Sequence, residues 1–166
     1  MAFLGTIPST SNVVASAITG TLSSDRLLPG AVVQTIVTSN NTTTSTTSDS
    51  YSNVFGDVSI TMRGDNKLLV TAFFTGVSFG SSDARITFKL FVDGSASTEL
   101  ARDAGYTIGS VRFTQAVSVL TSTFSAGATK TINIKYASVI SGDTVSVNAP
   151  FSGAGQSCLI VQEIKQ

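Results

Sequence analysis

From Ala31 onward the chain alternates apolar and polar residues with a period of two, which sends successive side chains to opposite faces of a sheet. Between Ala84 and Val92 the set Ile86, Phe88, Leu90, Val92 alternates with Arg85, Thr87, Lys89, Phe91. Between Thr129 and Tyr136, Ile132, Ile134 and Tyr136 alternate with Thr131, Asn133 and Lys135. The same reading predicts strands near 31 to 38, 54 to 62, 67 to 78, 98 to 101, 109 to 123, 143 to 148 and 156 to 164. Turn chemistry separates them: Gly64-Asp65-Asn66, Asp93-Gly94, Gly105, Ala126-Gly127 and Ser141-Gly142-Asp143. Many short strands joined by tight turns, with no long amphipathic helix and no internal repeat, predict an all-β antiparallel sandwich of about eight or nine strands.

Residues 1 to 30 follow a different pattern. They are rich in Ser, Thr and small apolar residues, without sustained alternation, and Pro29-Gly30 stops any helical turn started at Ser23-Ser24-Asp25. This predicts an extended N-terminal arm over 1 to 30 and a sandwich domain over 31 to 166. Phe3, Leu4, Ile7, Val13, Val14 and Ile18 are the apolar residues with which such an arm would anchor. The tract Thr42 to Ser48 offers little to bury and reads as an exposed loop or an irregular edge strand.

One segment bears on assembly. Over Lys67 to Val77, alternation puts Leu69, Phe73 and Val77 on one face and Leu68, Val70, Ala72 and Phe74 on the other, so both faces are apolar. An isolated antiparallel sandwich keeps one face of such a strand wet. The second face is therefore assigned to subunit packing, with Leu68, Val70 and Phe74 as the contact. The other reading is that the arm or a loop of the same chain covers it.

Composition narrows the chemistry. The 166 residues hold 10 Lys plus Arg, 10 Asp plus Glu and no His, giving zero net charge, with only 12% charged residues. Without His there is no Ser-His-Asp triad, Cys-His dyad or imidazole metal site. A single Cys, Cys158, permits no internal disulfide and no Cys-cluster zinc site, and it reads as a small buried side chain. Zero net charge argues against a binder of nucleic acid, which works through clustered Lys and Arg. The N-terminus carries no basic residue ahead of its short apolar patch, and no apolar run approaches the ~20 residues of a bilayer span. Neither an export signal nor a membrane segment is expected.

The remaining motifs have plain structural readings. Arg63-Gly64-Asp65 spells the tripeptide that integrins recognise, yet a turn between two strands needs Gly, Asp and Asn in any case. The sequons at Asn40 and Asn41 matter only in a chain that meets the glycosylation machinery. The carboxylates are scattered and mostly flank turns, so no acid pair of glycosidase type is nominated. There is no Asp-x-Asp-x-Asp calcium loop and no phosphate-binding Gly-rich loop. No enzyme activity, cofactor or metal is expected.

Two segments carry a resemblance. Ala17 to Gln34, with Thr19-Gly20-Thr21-Leu22, Arg26-Leu27-Leu28-Pro29-Gly30 and Val32-Val33-Gln34, resembles the junction leading into the C-terminal domains of many tailed-bacteriophage fibre and virion-surface proteins. Ser157 to Ile164, ending in Glu163-Ile164, resembles the closing strand of those domains. Between them, the order of strands, with Thr131 to Ala137 followed by Ser141-Gly142-Asp143 and Thr144 to Val147, is similar to the jelly roll of tumour necrosis factor ligands and complement-type heads. The resemblance implies a jelly-roll homotrimer with no catalytic residues. Because only a thirty-residue arm precedes the domain, with no fibre shaft, it further implies a capsid decoration or cement protein. Such a protein assembles in the host bacterial cytoplasm, sits on the virion surface, and binds the major capsid protein or another virion protein through its arm. The alternative keeps the fold and makes the chain the receptor-binding head of a tail or head fibre, recognising host surface glycan.

Overall fold

A computed structural model describes residues 27–80, 83–104, 113–149 and 156–166. Among them are eleven strands and no helix, and so no helix long and apolar enough to cross a membrane. The strands are β1 (Val32–Asn40), β2 (Thr44–Thr46), β3 (Ser52–Asn53), β4 (Val58–Thr61), β5 (Lys67–Phe79), β6 (Arg85–Val92), β7 (Ser95–Ala104), β8 (Phe113–Leu120), β9 (Thr129–Ser138), β10 (Val145–Val147) and β11 (Ser157–Ile164).

All pairings are antiparallel, and the longer strands nest. β6 pairs with β7, β5 with β8, β4 with β9, and β1 with β11. Fourth with fifth, third with sixth, second with seventh and first with last is a long hairpin rolled on itself, the defining topology of a jelly roll. One sheet runs β1-β11-β5, with β8 on the far edge of β5 and β10-β2 taking the end of β5. The other runs β9-β6-β7, with β3 and β4 one after the other along the free edge of β9.

Hydrocarbon from both sheets fills the space between them. Leu68, Val70, Ala72, Phe74, Leu159 and Val161 face Ile86, Phe88, Leu90, Ile132, Ile134 and Tyr136, all buried. Phe74 stacks on Phe88 across the gap, ring centroids 4.3 Å apart, with Phe55 5.6 Å from Phe74. Each such burial contributes roughly 1.5–3 kcal/mol.

The strands read from the sequence all have counterparts, and their departures have local causes. The expected strand over 54 to 62 shrinks to β4, because Val54 and Phe55 are both buried and cannot alternate. Their carbonyls accept instead from side-chain amides, Asn40 Nδ2 at 2.6 Å and Asn133 Nδ2 at 3.2 Å. The Thr tract contributes β2, an edge strand on β10. β7 is longer than 98 to 101 because Asp93 and Gly94, both at positive φ (51° and 77°), make a tight hairpin that pairs it with β6 from Ser95.

Two expectations about β5 are corrected. Leu68, Val70 and Phe74, assigned to a subunit contact, have no exposed surface within one chain, so they are core. Val77 does not share a face with Leu69 and Phe73. A bulge between Phe74 and Val77, where Gly76 takes φ +57°, shifts the alternation by one and turns Val77 and Phe79 inward. Only glycine fits there, since a Cβ on Gly76 would lie 2.7 Å from the Ala149 nitrogen. The bulge receives the segment after β10: Asn148 N donates to Thr75 O and Ala149 N to Gly76 O.

Candidate assembly face

The alternation that buries one face of the β1-β11-β5-β8 sheet exposes the other, and register aligns its outward residues in three rows. Ser39, Cys158, Phe73 and Ala116 form the first, Val37, Ile160, Thr71 and Ser118 the second, and Thr35, Gln162, Leu69 and Leu120 the third. None of these twelve residues is charged. The nearest charge along β5 is Lys67, opposite Ile164 at the end of the sheet.

The face is partly apolar and open. Val37 is 60% exposed, Leu120 51% and Phe73 40%, while Leu69, Ile160 and Cys158 are half-buried among them. Polar groups between them bond to one another across the face: the Thr71 and Ser118 hydroxyls at 2.9 Å, and Gln162 Nε2 donating to Thr35 Oγ1 at 3.5 Å. A surface without charge loses less on dehydration than a charged one, because no ion must shed its water. Cys158, expected to be buried, sits on this face.

The sequence held a signal for this face that strand alternation does not carry. Residues 31–48, 68–82, 113–129 and 144–162 contain no charged residue, and all four strands of the sheet fall almost wholly within these runs. The one carboxylate on β11, Glu163, points inward.

Glu163 is completely buried and fully engaged. Its Oε1 accepts from Asn66 Nδ2 at 2.6 Å and from the Arg63 amide at 2.9 Å, and its Oε2 accepts from Gln34 Nε2 at 2.6 Å. Gln34 Nε2 also donates to Thr61 O at 2.7 Å. Gln34 and Glu163 belong to the two segments that carry the phage-protein resemblance, so these motif residues meet in a buried polar tie between the first and last strands. The tie also fixes the Arg63-Gly64-Asp65 turn, in which Asp65 Oδ1 accepts from the Ala126 amide at 2.8 Å. The tripeptide is a structural turn here, its carboxylate engaged by the turn before β9.

A second polar tie closes the opposite end. Asn148, buried and at φ 57°, donates through Nδ2 to the carbonyls of Asn40 and Thr42, each at 3.1 Å. Its Oδ1 accepts a short bond from Ser157 Oγ. Within the sandwich, burial pushes the Tyr136 phenol pKa up, and the adjacent Thr44 hydroxyl pulls weakly the other way.

A cleft of about 410 Å³ opens beside β8, lined by Leu90, Val92, Leu120 and Phe124 with the hydroxyls of Thr121 and Ser122. Among the described residues no three His, Cys, Asp or Glu side chains come together as a metal site. Phe3, Leu4, Ile7, Val13, Val14 and Ile18 lie outside the described residues, as does most of the expected arm.

No protein-family model matches the sequence, and no curated protein does. Among solved structures, the chain is similar to part of dimeric latent PorU from Porphyromonas gingivalis, with 9% identity and a TM-score of 0.47 over 88% of this chain and 14% of that one. It therefore spans a small fraction of PorU. It is also similar to Eiger TNF from S. frugiperda, with 11% identity and a TM-score of 0.45 over 80% of this chain and 94% of that one. A third likeness is to a chain of the infectious bursal disease virus Gx strain, with 16% identity and a TM-score of 0.40 over 79% and 32% of the two chains. The nested strand pairs, not these distant likenesses, define the fold as an all-β jelly-roll sandwich.

Proposed function

We propose that this chain is a non-enzymatic structural protein of a bacteriophage virion, a decoration or cement protein. Three copies pack through the outer face of the β1-β11-β5-β8 sheet, and residues 1 to 30 of each anchor the knob to the major capsid protein or another virion protein. The observation that carries this reading is the charge-free face with Val37, Phe73 and Leu120 exposed at its centre and edge. A patch of this kind fits a surface made to be covered. Further copies of the chain suit it best, because uncharged sheets can converge around a threefold axis without repulsion. Three arms acting together turn individually weak contacts into firm attachment through effective concentration. The protein would be made in the host cytoplasm and act on the capsid surface, strengthening the shell mechanically.

The test is the mass of the purified chain, full-length and without residues 1–30, followed by co-sedimentation of both forms with phage capsids and with host cells. A trimer that needs the arm to bind capsids and ignores cells is the expected outcome. A monomer, or a trimer that binds cells without the arm, would overturn it, the latter in favour of a receptor-binding head.

A further inference from the structure

The outer face of the second sheet has a different construction. Lys89 on β6 and Lys135 on β9 stand directly opposite one another in register, so two ammonium-bearing side chains leave neighbouring strands on the same face. Like charges so placed repel, and flexible lysines ordinarily splay apart into water. Here each is held. Lys89 Nζ lies 5.1 Å from the centre of the Tyr51 ring, and Lys135 Nζ lies 4.7 Å from the centre of the Phe91 ring. The rings themselves touch, 5.5 Å between centroids, because Tyr51 reaches from the start of β3 across β9 to Phe91 on β6. Each ammonium thus lies over one ring of an adjoining aromatic pair, held through the ring's quadrupole.

Amides flank the pair. Asn53, exposed, faces Lys135 from β3. In the next row Asn133 is opposite Phe91, and its Nδ2 donates to Asp57 Oδ1 at 2.8 Å. Glu99 occupies the register position beside Lys89 on β7. The row thus sets Lys135 and Lys89 side by side with the Asn53 amide at one end.

We propose that this row is a binding site for an acidic saccharide, with the carboxylate of one sugar unit bridging the Lys89 and Lys135 ammoniums and its neighbouring hydroxyls bonded to the Asn53 amide. The carboxylate relieves a repulsion built into the free protein, and the rings hold the donors in place before it arrives. Two lysines in a chain of zero net charge are too few to track a phosphate backbone, and their ammoniums cover the ring faces on which bases would stack. The amide suits a hydroxyl-rich ligand. The site lies on the sheet opposite the proposed subunit contact and does not depend on that reading: a chain that fails to oligomerise still carries it.

The test is titration of the full chain, followed by calorimetry and by the side-chain NMR signals of its lysines, with three probes: a uronic-acid oligosaccharide, its methyl ester, and inorganic sulfate. The acid form is expected to bind and to move the Lys89 and Lys135 signals. The ester and sulfate should bind tenfold or more weakly, and Lys89→Gln with Lys135→Gln should lose about tenfold or more in affinity for the acid form while its molecular mass stays unchanged. Absence of binding by the acid oligosaccharide, equal binding of the ester or of sulfate, or undiminished binding by the double variant would overturn the proposal. Lys135→Gln alone gives a second check: with one ammonium left it should bind the acid form more weakly than the parent, and undiminished binding counts against the proposal.

Discussion

The two sheets share one core and differ on their outer surfaces. The β1-β11-β5-β8 face has twelve outward residues in register and no charge. The β9-β6 face carries Lys89 and Lys135 directly opposed and pinned over aromatic rings. A surface that is to be dehydrated wholesale against a copy of itself cannot carry ions cheaply, whereas one that captures a small charged group needs fixed ions and accessible amides. The jelly roll separates the two demands by about the thickness of its core, so each face can be altered without disturbing the other.

The largest expected effect comes from placing charge on the neutral face. Phe73→Asp, at an outward position 40% exposed, should reduce the protein to a 17.1 kDa monomer by sedimentation while leaving the far-ultraviolet circular dichroism unchanged. Cys158, its register neighbour on β11, should alkylate quickly in that variant and slowly in the parent. Lys89→Asp on the other sheet should leave the mass as it was. If both variants dissociate, or neither does, the contrast between the faces fails.

Glu163→Ala tests what keeps the neutral face neutral, since it removes the carboxylate turned inward from β11. The donors on Asn66, Arg63 and Gln34 then lose this acceptor, with Asn66 the buried one among them, which should cost about 3 kcal/mol in chemical denaturation. Glu163→Gln keeps an accepting oxygen and should cost distinctly less. Equal losses would mean that the tie acts by packing alone.

Gly76→Ala strikes the bulge that reverses the alternation of β5. A side chain there meets the Ala149 backbone at positive φ, and a loss on the order of 2 kcal/mol is expected by the same measurement. The smallest effect concerns the hairpin at the edge of the charged sheet. Asp93 accepts from Lys130 Nζ at 2.7 Å and from the Thr131 amide at 2.9 Å, and these bonds, the lysine's first, hold its carboxyl below the ordinary 3.8. A lowered pKa in the folded chain means that the ionised form stabilises it above the ordinary value, and that this stability is lost as pH falls through the folded value. Asp93→Asn keeps the turn, so its denaturation midpoint should lie slightly below the parent's at pH 7, and the gap should close as the pH drops below 3.8. A gap that persists in acid would assign the effect to turn geometry.

Much of this fold could be read along the chain because strand alternation is local: Ile86, Phe88 and Leu90 announce their shared face without knowledge of anything distant. Alternation separates two faces but does not say which one looks inward, and for β5 both are apolar. The assignment of Leu68, Val70 and Phe74 to the outside failed on that ambiguity, and Val77 failed because a one-residue bulge is invisible to a period of two. The polar ties were less legible, since Gln34 and Glu163 stand 129 positions apart and only the rolled hairpin brings them together.

That separation also orders events during synthesis. Among the described residues β1 pairs only with β11, and β11 is what joins it to β5. A nascent chain therefore holds β1 idle until β11 has been translated, with 129 positions between Gln34 and Glu163, and such distant pairing is slow to close. The neutral face comes into being at the same moment, because β11 is the strand that joins β1 to β5. Copies that stop short of β11 lack the strand that joins β1 to β5, so any assembly through this face would select chains translated past Ile164.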